Sequence, residues 1–246
     1  MLFGGFLIYL GLIGAAAGAV SLLHPLRFLG IRSRGKGLLV VGLGFLAFVA
    51  GVWLPVTETR VADPRTLLDE FAPAYQFSEF HSVRIDAPRQ RVYEAIRAVT
   101  PEEIPFYRTL TWIRGFGRPS PGGILNPPER RPILDTFLSG AFLPLADDSR
   151  EIVFGRAGDG WGRKLWTAGE FKQPHAAPFV KIAMNFRIQE VDAAHCSLTT
   201  ETRVYAAGPR TLRGFAAYWR MIQPGSALIR RMWLRAIKLR AEESAR

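Results

Sequence analysis

Two long stretches without a charged side chain constrain this chain more than any other feature. They are residues 1–23 and residues 38–54. A basic loop separates them, and its charged side chains are Arg27, Arg32, Arg34 and Lys36. A helix needs about 20 apolar residues to cross a bilayer, so the pattern predicts a transmembrane hairpin over residues 1–56. The alternatives are a cleavable signal peptide, although no basic residue precedes the first stretch, and a buried hairpin of a soluble protein.

The basic residues also predict the orientation of the hairpin. The loop carries four of them, whereas the flank after the second stretch, residues 55–75, carries Arg60 and Arg65. Cytoplasmic loops of membrane proteins are enriched in Lys and Arg. We therefore expect a two-pass integral membrane protein with a cytoplasmic loop and an extracytoplasmic soluble domain.

Small residues predict that the two apolar helices pack closely. Gly14 and Gly18 form a GxxxG step, and Ala47 and Gly51 form a similar step. Such positions let helix backbones approach each other in lipid. The alternative is that Gly and Ala are simply frequent in membrane helices.

Composition narrows the classes of function. Of the 246 residues, 48% are apolar and 22% are charged, which excludes a disordered chain. One cysteine excludes a disulfide framework within the chain and a zinc site built on several thiolates. With four histidines, the chain offers few imidazole ligands for a metal centre. We therefore predict neither a metal nor any other cofactor.

The positive charge is concentrated at the C-terminal end. The last 37 residues hold nine basic residues and two acidic ones. These basic residues lie on an amphipathic helical pattern, so we interpret them first as a solvated helix face. Contact with lipid headgroups is the second interpretation. Binding of nucleic acid is the third, and we predict no nucleic-acid partner. The sequence leaves the oligomeric state open.

Local patterns predict a domain over residues 80–246, joined to the hairpin by a linker over residues 57–79 that holds a short helix. The domain opens with a strand and two helices, followed by a loop rich in proline and glycine. In order, these are residues 80–86, residues 89–99, a helix that begins at Pro101, and residues 117–132. Six further strands are predicted at 133–138, 141–145, 150–156, 165–172, 179–190 and 196–205.

The last two strands can be paired from their side-chain alternation. A five-residue loop, residues 191–195, places Ile188 opposite Leu198 and Phe186 opposite Thr200. The apolar faces of the two strands then coincide, as a half-buried antiparallel hairpin requires. The other face is expected to bring Arg187 near Glu201.

The longest helical pattern covers residues 209–245. Pro224 and Gly225 interrupt it, so we expect a kink or a break there and a cap by Ser226. After the interruption one apolar stripe is formed by Ile229, Met232, Trp233, Ala236 and Ile237. A basic face is formed by Arg231, Arg235 and Lys238.

Three segments resemble the SRPBCC superfamily, which includes START lipid-transfer domains and polyketide cyclase/dehydrase-like proteins. HSVRIDAPRQRVYEAIRAV is similar to the opening strand and helix of the family, and FVKIAMNFRIQEVDAAHCSLTTETRVYA to its final hairpin. YWRMIQPGSALIRRMWLRAIKLRAE is similar to the last helix of bacterial members. The resemblance implies an α+β helix-grip fold, with a curved antiparallel sheet around a long C-terminal helix and two transmembrane helices before it.

The resemblance also implies an apolar cavity between the sheet and the long helix. We expect a membrane-anchored protein that binds a lipid or another hydrophobic small molecule there. The residues expected to face the ligand are Ile182, Met184, Phe186, Thr200, Thr202, Ile229 and Trp233. The hydroxyls of Thr200 and Thr202 need a partner, which a ligand, a water or a backbone carbonyl can supply.

Two other functions stay open. One is a cyclase or dehydratase acting on a polyketide-like or isoprenoid substrate, and the other is an interaction module that binds no small molecule. No catalytic residue is predicted, although His81 and His175 are candidate acids or bases if they reach the cavity. The glycine-rich residues 158–162 are interpreted as a turn between strands, not as a phosphate-binding loop.

Overall fold

The computed structural model describes residues 2–115, 117, 126–128, 130–140, 142–158, 167–173 and 178–243. It divides the chain into two compact units. The first unit comprises Met1–Thr57 together with Leu212–Pro224, and the second comprises Glu58–Thr211 together with Gly225–Arg246. The long C-terminal helix therefore contributes one part of its length to each unit.

The first unit contains the two apolar helices, α1 (Leu2–Leu23) and α2 (Arg34–Trp53). Both are long and apolar enough to cross a membrane. A short 3-10 helix, Arg27–Leu29, lies in the connection, and Gly30 adopts a positive φ of 76° after it. The hydroxyl oxygen of Ser33 accepts a hydrogen bond from the backbone N–H of Lys36 and caps α2.

Glycines let α1 and α2 pack at close range. A Cβ atom added at Gly11 would lie 2.6 Å from the carbonyl oxygen of Gly44, and one at Gly51 would lie 2.9 Å from that of Gly4. A Cβ at Gly18 would meet the carbonyl oxygen of Gly37 at 2.8 Å. Close packing was predicted, and Gly18 and Gly51 take part in it. The closely packed glycines recur every seven residues on each helix, however, whereas the predicted steps were of four residues.

The second unit is an α+β fold around a five-stranded antiparallel sheet, as predicted. The strand order is β3–β7–β6–β5–β4. The strands are β3 (Phe77–Ile85), β4 (Leu143–Asp147), β5 (Glu151–Gly158), β6 (Phe179–Glu190) and β7 (Cys196–Ala207). The short strands β1 (Thr59–Arg60) and β2 (Ala74–Tyr75) pair separately. The helices are α3 (Leu67–Phe71), α4 (Arg89–Ala98), α5 (Tyr107–Arg114), α6 (Ile133–Ser139), α7 (Ala168–Lys172) and α8 (Pro209–Glu243), with a 3-10 helix at Pro101–Glu103.

The predicted register of the last two strands is confirmed. Ile188 lies opposite Leu198 and Phe186 lies opposite Thr200. The predicted contact between Arg187 and Glu201 is wrong, because Asn185 is the residue opposite Glu201. The carboxylate of Glu201 instead pairs with Arg203, at 2.7 Å.

Both faces of the sheet carry buried side chains, although the outer residues of the edge strand β3, such as Phe80, are exposed. We call the face that carries Phe186 and Leu198 the helix face, because the second part of α8 packs on it in the main core cluster with α4 and α6. The opposite face packs against α3 and α7 around Phe71 and Phe171, and we call it the outer face.

Two predicted strands are helices in the structure. Residues 133–138 belong to α6, where Ile133, Leu134 and Phe137 are buried at helical spacing after Pro132. The described part of 165–172 is α7, which a capping box begins: the Thr167 hydroxyl accepts from the N–H of Glu170, and the Glu170 carboxylate accepts from the N–H of Thr167. A threonine followed three residues later by a glutamate is a helix signal that the strand prediction overlooked.

The interruption at Pro224 does not end the long helix. Pro224 lies inside α8, and Ser226 is a helical residue rather than a cap. The boundary between the two compact units falls between Pro224 and Gly225. Of the glycine-rich residues 158–162, only Gly158 is described, so the predicted turn lies outside the described residues.

Candidate functional site

The structure places all seven predicted ligand-facing residues between the helix face of the sheet and α8. Met184 lies opposite Thr202, and Phe186 lies opposite Thr200, on neighbouring strands. These four residues and Trp233 are buried, whereas Ile182 and Ile229 are partly buried. The seven residues therefore form one continuous region within the second unit.

Arg230 is the residue of this region that the sequence analysis missed. Its Nη1 donates a hydrogen bond to the Thr200 hydroxyl at 3.2 Å, and its Nη2 donates to the Thr202 hydroxyl at 3.0 Å. Nη2 also contacts the sulfur of Met184. The Thr200 hydroxyl donates in turn to the backbone carbonyl of Asn185 at 2.7 Å. Both threonine hydroxyls therefore have protein partners.

The Arg230 guanidinium is a buried charge without a paired acid. The side chain is 6% exposed, and no carboxylate among the described residues lies within ion-pair distance of it. Burial lowers the pKa of Arg230 to about 10, with the Glu79 carboxylate opposing the shift. The group therefore remains a cation at neutral pH, although it has only neutral hydrogen-bond partners.

Two aromatic rings also contact this charge. The guanidinium carbon lies 5.9 Å from the ring centre of Phe186 and 5.5 Å from that of Trp233. A cation over an aromatic face is stabilised by about 0.5–2 kcal/mol, which is less than the cost of removing a charge from water. The rings lessen the cost of burial but do not cancel it.

A carboxylate and an imidazole lie on the next strand of the same face. Glu79 is paired in register with Thr202, and His81 with Thr200. His81 Nε2 lies 2.9 Å from Glu79 Oε1, and His81 Nδ1 accepts a hydrogen bond from Arg231 Nε at 3.4 Å. This arrangement favours the tautomer whose Nε2–H donates to Glu79. We call Glu79, His81, Thr200, Thr202 and Arg230 the polar cluster.

Some hydrogen-bonding capacity around the polar cluster is unused. Glu79 Oε2 and Trp233 Nε1 are buried and have no hydrogen-bond partner. An unpaired buried polar atom costs about 1–3 kcal/mol, so such atoms are uncommon in structural cores. Here an acceptor and a donor of this kind occur beside one unpaired guanidinium.

Tyr107 of α5 lies close enough to Arg230 to interact with it electrostatically. Burial raises the pKa of Tyr107, and the charges of Arg114, Arg230 and Arg108 offset only part of the increase. The phenol is therefore neutral at physiological pH.

The inner part of the region is packed with aromatic rings. Trp233 is 1% exposed and contacts Phe186 edge-on, with ring centres 4.8 Å apart. Phe137 contacts Trp233 and Phe154 at 5.5 and 5.8 Å. Phe186 and Trp233 therefore serve as core residues here, and their contact with a ligand remains a prediction.

His195 and Cys196, which are neighbours in the sequence, do not form a catalytic pair. His195 bonds Asp192 through Nδ1 at 2.7 Å and pairs with no nucleophile. Burial raises the pKa of Cys196, which disfavours a reactive thiolate. His175 lies outside the described residues. Among those that are described, no group of three or more His, Cys, Asp or Glu could hold a metal ion.

A concave region opens at the outer face, with a volume of about 580 Å³. Its central acid, Glu151, is buried and accepts hydrogen bonds from the N–H groups of Leu67 and Leu68 and from the Asn185 side chain. These bonds satisfy the start of α3. Glu151 therefore has a structural role in this cleft.

One sequence signal could have identified Arg230. It precedes Trp233, Leu234 and Ile237 by three, four and seven residues, so it lies on the apolar stripe of the helix. The basic face that we predicted, with Arg231 and Arg235, excludes it. A charge on an apolar stripe, facing a strand with two threonines, indicates a buried polar contact.

Comparisons with known proteins identify no family for this chain. No family model matches it, and no curated protein does. Several solved structures match it. A hypothetical protein of Helicobacter pylori is 8% identical, with a TM-score of 0.35, and the match covers 74% of this chain and 98% of that one.

Two further structures are similar over a comparable length. The Zhui aromatase/cyclase of a Streptomyces species is 17% identical, with a TM-score of 0.28, and the match covers 69% of this chain and 96% of that one. A Thermus thermophilus protein is 10% identical, with a TM-score of 0.30, and the match covers 69% of this chain and 100% of that one. Scores and identities this low do not assign an activity.

Proposed function

We propose that this chain is a membrane-anchored protein that binds an apolar molecule with an acidic head group, between the helix face of the sheet and α8. Arg230 recognises the head group, while Ile182 and Ile229 contact the apolar part. The observation that carries the proposal is the buried Arg230 guanidinium, which has no carboxylate partner among the described residues. A ligand carboxylate would supply the missing counter-charge through charge-assisted hydrogen bonds.

The surroundings of Arg230 support a ligand that is apolar apart from its head. Met184, Phe186 and Trp233 contact Arg230, and the neighbouring Ile182 and Ile229 retain partial exposure. Ligand sites combine an apolar lining with a few placed polar groups in this manner. Trp233 Nε1, which has no hydrogen-bond partner, offers a donor to the same head group.

The membrane anchor supports the proposal independently. Two helices near the N-terminus are long and apolar enough to cross a bilayer. Anchoring would keep the binding domain beside the membrane, where apolar acids are concentrated. By the distribution of basic residues, the domain is extracytoplasmic.

Equilibrium binding to the full-length protein in mild detergent tests the proposal. The probes are the fluorescent fatty acid parinaric acid and its uncharged methyl ester. The wild-type protein should prefer the acid, and Arg230→Met should remove that preference. Losing a charge-assisted bond of about 1.5–3 kcal/mol weakens binding roughly tenfold or more. Arg235→Met, which alters an exposed residue of the same helix, is the matched control.

The possible outcomes are distinct. If the wild-type protein binds neither probe, the interaction-module alternative is favoured and the proposal fails. If Arg230→Met binds the acid as tightly as the wild type while it remains folded, Arg230 is not the recognition group. Met184→Trp should also weaken binding, because a larger ring would occupy the space beside Arg230.

One observation favours the cyclase-like enzyme as the second candidate. The Glu79–His81 pair is a carboxylate-oriented imidazole beside a cation that could stabilise an enolate oxygen. This function predicts that a β-keto acyl compound is converted, and that His81→Gln loses the conversion. Binding without conversion supports the first candidate instead.

A further inference from the structure

The first part of α8, Leu212–Pro224, belongs to the same compact unit as the apolar hairpin. Arg220 connects it to the end of α2. Arg220 Nη1 donates to the carbonyl of Val52 and Nη2 to that of Leu54, both at 2.8 Å. Carbonyls at the C-terminal end of a helix lack intrahelical donors. Arg220 therefore caps α2.

The same segment contacts the beginning of α1. The Tyr9 hydroxyl donates to the backbone carbonyl of Met221. A Cβ atom added at Gly4 would lie 2.8 Å from Arg220 Nε, so the arginine stem passes directly beside α1. Tyr9 lies about 9 Å along the helix axis from Phe3, where the candidate span begins. The segment therefore lies beside the first two turns of that span.

This depth is the one at which interfacial helices lie in a bilayer. Such helices bury their apolar face about 5–10 Å into the boundary between headgroups and acyl chains. If α1 and α2 span the membrane, the contacts of Arg220 and Met221 place the segment at this boundary.

The residues of the segment suit the same location. Leu212–Pro224 has no acidic residue, and its two charged side chains are Arg213 and Arg220. Its aromatic side chains are Phe215, Tyr218 and Trp219, with the rings of Phe215 and Trp219 stacked at 6.1 Å. Tyr218 is 39% exposed and Met221 is 40% exposed.

The adjacent end of α2 also combines an exposed aromatic side chain with a basic one. Trp53 is 66% exposed, and the Arg213 guanidinium lies 5.8 Å from its ring centre. Trp and Tyr are enriched where a membrane meets water, and long basic side chains reach from there to the headgroups.

We propose that Leu212–Pro224 is an interfacial membrane helix and that the partner of its exposed side is the lipid surface itself. Tyr218 and Met221 enter the boundary between headgroups and acyl chains, and Arg213 reaches the lipid phosphates. The proposal rests on the membrane anchor proposed above. It adds a third membrane contact that comes from the C-terminal part of the sequence.

Spin labels on the full chain test this proposal. The protein carries Cys196→Ala and is reconstituted into vesicles of phosphatidylcholine with a minor share of phosphatidylglycerol. A nitroxide is attached to one new cysteine in each variant, Tyr218→Cys, Leu43→Cys or Leu239→Cys. Leu43 is an exposed residue of α2 and reports lipid, whereas Leu239 is an exposed residue of the last part of α8 and reports water. Collision rates with oxygen and with a water-soluble nickel chelate are measured.

The label at Tyr218→Cys should collide more with oxygen than with the chelate, at a depth between the two references. Equal accessibility at Tyr218→Cys and Leu239→Cys would overturn the interfacial helix while leaving the anchor intact. An aqueous signal at Leu43→Cys would overturn the anchor as well. A label at Tyr218→Cys that neither reagent reaches would mean that protein covers the segment, which also contradicts the proposal.

Lipid quenching of tryptophan gives a second readout that needs no cysteine replacement. A tryptophan placed at the exposed position 218 reports on the lipid, so brominated lipids should quench more of the fluorescence in Tyr218→Trp than in the wild type. Leu239→Trp, at an exposed position of the last part of α8, is the control and should show no such increase. Equal increases in the two variants would contradict the interfacial location.

Discussion

The two faces of the central sheet each bury one arginine, and they surround its charge differently. On the outer face, Arg203 contacts Asp69 at 2.6 Å and Glu201 at 2.7 Å, and it also donates to the Ala72 carbonyl. On the helix face, Arg230 has two threonine hydroxyls, a thioether and two aromatic rings. Both side chains are nearly inaccessible, at 7% and 6% exposure.

The difference separates Arg203, whose charge is balanced by carboxylates of the fold, from Arg230, whose charge has no carboxylate partner among the described residues. Arg203 holds α3 against β7, because its partner Asp69 also accepts hydrogen bonds from the N–H groups of Arg65 and Thr66. Every charge in that network has an opposite charge beside it. Arg230 stabilises no comparable network, so burying it costs free energy that the fold does not recover from an ion pair. We infer that the site retains Arg230 for its ligand.

Breaking the outer-face pair should have the largest effect on stability. Asp69→Ala leaves Arg203 buried with one carboxylate fewer and removes half of the capping box of α3. Loss of one partner of a buried pair costs about 3–5 kcal/mol, and we expect the free energy of unfolding to fall by that order. Denaturant titration in detergent measures it. Asp63→Ala, at an exposed acid near the same helix, is the control and should have little effect. Equal effects from both variants would show that the pair is not structural.

The same pair predicts a pH dependence. Burial alone would raise the pKa of Asp69, but the hydrogen bonds from Arg65, Arg203 and Thr66 outweigh it and lower the pKa below 3.8. A carboxylate with a lowered folded-state pKa stabilises the fold above its unfolded pKa and loses that contribution as the pH falls through the folded pKa. The stability difference between the wild type and Asp69→Ala should therefore shrink below pH 3.8. A constant difference down to complete protonation would contradict the assignment.

On the helix face, stability should depend on aromatic packing rather than on charge. Trp233→Ala removes a fully buried ring that contacts Phe186 and Phe137. A truncation of this kind costs about 3–5 kcal/mol, whereas the exposed Arg235→Ala should change stability by less than about 0.5 kcal/mol. Thermal unfolding of both variants checks this. Small and equal shifts would show that α8 does not close the core.

A smaller effect is expected for the packing of α1 against α2, and both the test position and its control lie on α2. A methyl group at Gly44 would come within 2.6 Å of the Ala15 backbone nitrogen, whereas one at Gly42 meets nothing within 4 Å. Overpacking costs about 1–3 kcal/mol, so Gly44→Ala should loosen the helix pair and Gly42→Ala should not. Cross-linking efficiency between cysteines placed on α1 and α2 measures the packing. A similar loss in both variants would point to a general effect of helix composition.

The sequence was sufficient to predict the structure where a pattern is compatible with only one arrangement. The alternation in β6 and β7, together with a five-residue loop, allowed only the register that the structure shows. The two uncharged runs also predicted both apolar helices, and the resemblance to a known superfamily implied the α+β class. In each of these cases the deciding interaction is local, or lies between neighbours in the chain.

The sequence was insufficient where a contact between distant segments decides the outcome. Residues 133–138 are apolar and short, so periodicity alone did not distinguish the helix α6 from a strand. The partner of the Thr200 and Thr202 hydroxyls was left open, because Arg230 is separated from them by 30 and 28 residues. The seven-residue glycine period of the hairpin became visible only once Gly11 and Gly44 were seen in contact.

The most direct test is the stability of Arg230→Met, measured with and without parinaric acid. Without ligand, we expect the variant to be as stable as the wild type or more stable, because a buried charge has been replaced by a thioether of similar length. With ligand, the wild type should gain more stability than the variant, since the stabilisation by a ligand grows with the affinity of the folded state for it. If Arg230→Met instead unfolds as readily as Asp69→Ala and gains the same stability from the acid, then Arg230 is a structural residue and the central claim is wrong.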